Sequence, residues 1–128
     1  MTAPRSPQDR PPFSRRITPS VTCVLLLFLS APDREWYGAQ MSVRLTCHAS
    51  TVLRILADLR AAGWTTKRES VAHRGPTRYY HHLTGTGRLQ AKRALRHQYP
   101  SRTGLALLAE NAGLSLDTID LDLPRGET

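Results

Sequence analysis

The chain has 128 residues, enough for one domain, with a net charge of +8 and a pI near 10.5. Two cysteines make no disulfide framework, and the apolar run Val24–Leu29 is far short of the ~20 residues that span a bilayer. These features predict a cytoplasmic protein with no membrane partner. The charge is unevenly spread: +3 on the first seventeen residues, +8 on the stretch from Thr18 to Pro100, and −3 from Ser101 onward. A folded middle with that surplus attracts a polyanion.

Residues 1–17 place four prolines among four arginines with little apolar content, which predicts a disordered basic arm. Such an arm is either a solvated tail or an extension reaching along a DNA groove. The following "SRRITPSVTCVLLLFLSAP" has the pattern of a secretory signal, and equally that of a buried helix. Thr18-Pro19 is a helix start, hydroxyl at the N-cap and proline in the first turn, and Ala31-Pro32 is a stop. A second helix is expected from Trp36 to Arg44, with Tyr37, Met41 and Leu45 at helical spacing. A third begins near Ala49, carries Val52, Ile55, Leu56 and Leu59 on one stripe, and ends at Gly63.

After Gly63 the period becomes extended. "WTTKRE" and "TRYYHHL" flank turn chemistry at Gly75-Pro76, predicting a two-stranded hairpin. A basic helix capped by Thr84 follows, from about Thr86 to Tyr99, and a short one capped by Ser101 runs through Leu105 and Leu108 to Gly113. The acidic end "LSLDTIDLDLPRGET" alternates apolar residues without matching a single element. Trp36, Trp64, Tyr37, Tyr79 and Tyr80 are expected in the core.

Three helices and then a hairpin with a basic tip predict a mainly α winged helix-turn-helix at 18–100, its third helix in the major groove. Residues 101–128 form a C-terminal extension in this reading. The third helix offers Ser50, Thr51 and Arg54 near its start as DNA contacts, away from its apolar stripe. The hairpin offers Lys67, Arg68, His73, Arg74 and Arg78 to the DNA backbone or minor groove. Capping by Ser50 or Thr51, and an i,i+4 pair between Arg54 and Asp58, are the structural alternatives.

Three stretches carry a family likeness. "YGAQM" (37–41), "STVLRILADLRAAGW" (50–64) and "RYYHHLTGTGR" (78–88), in that order and spacing, resemble the PadR family of bacterial winged-helix transcriptional regulators. Gln40 replaces that family's usual acid, and Leu53 stands where its members often have tyrosine. "YYHHLT" has one residue more than the common "YYxLT", so a β-bulge is expected. The resemblance implies a DNA-binding homodimer joined through a C-terminal helix, with Leu89 and Leu95, supplemented by Leu105 and Leu108, as the contact. It also implies that the apolar run is the backing helix of the fold.

Cys47-His48 and His81-His82 are weak metal candidates. Zinc needs several converging ligands, whereas neighbours on a strand point to opposite faces. No cofactor is expected. No nucleophile with a base and no glycine-rich phosphate loop is present, so the chain reads as non-enzymatic. A small-molecule effector is left unspecified. A winged-helix module that binds an acidic protein, or a plasmid or phage replication or partition factor, are the rival readings.

Overall fold

A computed structural model describes residues 16–70, 77–119 and 121. Their elements are α1 (Pro19–Ser30), β1 (Trp36–Tyr37), α2 (Gly38–Leu45), α3 (Ala49–Ala61), β2 (Thr65–Ser70), β3 (Arg78–Leu83), α4 (Gly85–Gln98), α5 (Arg102–Asn111) and a 3-10 turn (Leu116–Thr118). The fold is mainly helical, with one three-stranded antiparallel sheet in the order β1-β3-β2. No helix among the described residues is long and apolar enough to cross a membrane.

The apolar run forms α1. The Thr18 hydroxyl accepts the Val21 N–H at 3.2 Å, and Val21, Val24, Leu25, Leu26, Leu27 and Phe28 have no exposed surface. A helix apolar on all sides is stable in water only when other elements surround it. Those elements include α3, which contributes Val52, Ile55, Leu56 and Leu59 to the same core.

The predicted helix over Trp36–Arg44 begins two residues later. Trp36 and Tyr37 are extended and pair with His81 and Tyr80 of β3, and the Tyr37 N–H donates to Gln40 Oε1 at 3.4 Å as α2 opens. The expected bulge is absent: β2 and β3 pair residue for residue from Thr65↔Leu83 to Ser70↔Arg78. The extra residue of "YYHHLT" is absorbed in a regular strand that places His81 and Leu83 inward.

Thr84 joins the hairpin to α4. Its N–H donates to the Trp64 carbonyl at 2.9 Å, and its hydroxyl donates to the Gly63 carbonyl at 2.9 Å and accepts the Gly87 N–H at 2.8 Å. The backbones approach so closely that a Cβ on Gly87 would lie 1.9 Å from the Trp64 carbonyl oxygen. Only glycine fits there.

The residues past Ser101 pack against the rest of the described chain. α5 packs on α1, and Leu105, Ala109, Leu114, Leu116, Ile119 and Leu121 join the one core. The acidic end therefore supplies apolar residues on both sides of the 3-10 turn, a spacing neither purely helical nor purely extended. Tyr99, at the end of α4, meets the Thr22 hydroxyl of α1 at 3.0 Å.

Candidate nucleic-acid interface

The α2–α3 pair is joined by three residues, of which Thr46 has φ of 54°, the one left-handed non-glycine among the described residues. That turn is held by the Cys47 N–H donating to the Ser42 carbonyl at 3.0 Å and by the Ser42 hydroxyl donating to the Cys47 carbonyl. With its ends tied, the turn fixes the angle at which α3 leaves. α3 buries Val52, Ile55, Leu56 and Leu59 and exposes Ala49, Ser50, Leu53, Arg54, Ala57, Arg60 and Ala61.

Of the three contacts predicted on α3, Ser50 and Arg54 are exposed and Thr51 is half-buried at the margin of the open face. The structural alternative for Arg54 does not form, since it makes no ion pair with any described residue. Leu53 is 55% exposed and stands on the side of that face next to α2. Its off-stripe position is the signal by which the sequence marks it. Its side chain leans on Gly38 at the start of α2, where an added Cβ would lie 2.9 Å from Leu53 Cδ2.

The hairpin holds its cations over aromatic rings. The Lys67 ammonium lies 4.4 Å from the Tyr79 ring centroid, and the Arg78 guanidinium 4.7 Å from that of Tyr37. Cation–π contact of this kind orders a long side chain while leaving its charge available. Neither Lys67 nor Arg78 makes an ion pair with a described residue. Tyr37 and Tyr80 meet edge to face, 5.6 Å between centroids. Tyr79 is exposed and Tyr37 and Tyr80 are half-buried, which corrects their expected place in the core; only Trp36 and Trp64 are buried.

Arg68 has a partner within the chain. Its guanidinium forks onto Glu35, with Nε and Nη2 at 2.9 and 2.8 Å from the two carboxylate oxygens, and lies 5.1 Å from the Tyr80 centroid. The hydrogen bond from Arg68 holds the Glu35 carboxyl below the usual carboxylate range. Unlike Lys67 and Arg78, Arg68 thus has an anion already. His73 and Arg74 lie outside the described residues, as do residues 1–15 of the predicted arm.

Beneath the hairpin, Trp36 Nε1, Thr65 Oγ1 and His81 Nδ1 are buried without a hydrogen-bond partner among the described residues. Burial, then the nearby Lys67 and Arg60 charges, lowers the His81 imidazole to about 4. Above them, Arg60 of α3 and Lys67 and Tyr79 of the hairpin line one cleft of about 620 Å³.

The expected dimer contacts divide. Leu95 and Leu105 are fully buried within this chain and cannot face a partner. Leu108 is half-buried beside Cys23 of α1, and Leu89 is 47% exposed. The sequence reading missed Leu107, which is 58% exposed on α5. Cys23 and Cys47 are both free; burial, and after it the neighbouring Cys47, pushes the Cys23 thiol up. A raised thiol is the reverse of an activated nucleophile. Among the described residues no three His, Cys, Asp or Glu side chains gather to hold a metal ion.

No protein-family model, curated protein or solved structure matches the chain.

Proposed function

We propose that this protein is a sequence-specific DNA-binding transcriptional regulator built as a winged helix-turn-helix. α2 and α3 are the helix-turn-helix, α3 enters the major groove, and the β2–β3 hairpin is the wing that rides on the adjacent backbone or minor groove. The observation that carries this reading is the shared cleft. Arg60 on the exposed side of α3 and the ring-held Lys67 of the hairpin line one open, shallow cleft that also carries Glu69, and the two cations suit a phosphate backbone running between helix and wing. Support comes also from the +8 net charge and from the three stretches that resemble the PadR family. Repression follows from occupying promoter DNA. The proposal includes a homodimer on a two-fold site, with Leu89 of α4 and Leu107 of α5 as its exposed leucines.

Titration of a fluorescent duplex at several salt concentrations tests the reading. Each neutralised phosphate contributes about −0.9 to the log–log slope of affinity against salt. Lys67→Ala and Arg78→Ala should each lower that slope by about one, alike on all sequences. A flat salt response on duplex DNA would remove the reading.

A further inference from the structure

The open face of α3 is unusual for a solvated helix surface. Of the exposed residues Ala49, Ser50, Leu53, Arg54, Ala57, Arg60 and Ala61, four are apolar, one is a hydroxyl and two are arginines. None is a carboxylate. On the side of this face next to α2 stands a half-exposed leucine, Leu53, and one turn on from it Ala57, too small to keep another surface at a distance. Single exposed leucines are common and need no explanation. Leu53 differs in having a seat: it rests on Gly38, where an added Cβ would lie 2.9 Å from its Cδ2, so the bare backbone of α2 gives this leucine its place.

Resting on the DNA-binding reading above, we infer that α3 recognises thymine through its 5-methyl group, with Leu53 as the specificity-determining contact and Ala57 beside it. Thymine is the one base that presents an apolar group at its major-groove edge. The charge of the face fixes the class of partner: Arg54 and Arg60 border the apolar residues, Arg54 without an ion pair to any described residue, and a polyanion is the surface such a border accepts. Arg54, one helical residue from Leu53, then faces a neighbouring base or phosphate. Gly38 is a positioning residue, because it sets where Leu53 stands.

Uracil differs from thymine only by lacking the methyl, so it removes this contact without disturbing base pairing. Using the full chain and a duplex it selects from a random pool, each thymine is replaced by uracil in turn and the affinity measured. The expected result is a loss of about four-fold at one or two positions per half-site, the effect of one buried methyl-sized group. Leu53→Ala should abolish that discrimination while keeping the salt slope of the parent. Gly38→Ala, which pushes Leu53 from its seat, should alter the thymine-to-uracil ratio at the same positions. If the parent binds a selected sequence and treats uracil and thymine alike throughout, the inference is overturned and the DNA-binding reading stands. If the chain selects no duplex at all, that reading falls and the inference with it. A protein partner on this face would be indifferent to uracil, which is the same overturning result.

Discussion

Acid should weaken this fold through one histidine. His81 is buried, its Nδ1 has no partner among the described residues, and burial together with Lys67 and Arg60 lowers it from about 6.5 to about 4. Between those values the unfolded chain holds a proton that the native chain does not, so stability rises with pH across that window and is lost as pH falls through it. The imidazole is neutral in the fold at pH 7, and its contribution is whole above about pH 6.5. By pH 5 about 2 kcal/mol is gone, and below pH 4 the loss levels off at about 3 kcal/mol. Against a total of ~5–15 kcal/mol for a domain, this is a large fraction. Urea unfolding of the parent and of His81→Leu at a series of pH values isolates the effect, because carboxylates elsewhere titrate in both proteins. The parent should lose stability relative to the variant steadily from pH 6.5 to pH 4. A parent–variant difference that stays constant over that range would refute the argument.

Three other perturbations follow from single contacts. Gly87→Ala puts a methyl 1.9 Å from the Trp64 carbonyl oxygen, so the melting temperature should drop by an amount typical of a severe overpacking change, about 3 kcal/mol or more in unfolding free energy. Glu35→Gln releases the Arg68 guanidinium from its carboxylate, so duplex binding should tighten and its salt slope steepen by about 0.9; an unchanged slope would mean that Arg68 does not reach a phosphate. Leu105→Ala hollows the core beside α1 and should cost about 2–5 kcal/mol in urea unfolding, where an exposed dimer contact would cost almost nothing in the monomer.

What was legible in the sequence is what short-range chemistry decides. Thr18, Thr84 and Ser101 cap α1, α4 and α5 through bonds to residues two or three positions on, and Gly63 and Gly113 take positive φ at or near helix ends, so these boundaries can be read directly. The apolar stripe of α3 was equally plain, since its 3.6-residue period needs no knowledge of its partner. What escaped depends on distant residues. β1 is two residues long and exists because Trp36 and Tyr37 pair with a strand more than forty positions later. Arg68 finds Glu35 33 positions away, an ion pair that no local pattern announces. Leu95 and Leu105, expected to face a partner, belong instead to the core of their own chain, together with Leu114, Leu116, Ile119 and Leu121 from far along the sequence. On the candidate interface, Ser50 and Arg54 follow from helical spacing, and Leu53 has the same off-stripe position.

The central claim is sequence-specific recognition of duplex DNA, and selection of bound duplexes from a random pool, followed by footprinting of the winners, tests it most directly. The account predicts one enriched motif with two-fold symmetry, half-sites about 34–36 Å apart, and loss of the enrichment in Arg54→Ala. A pool that emerges without enrichment, bound equally at every sequence, would contradict it.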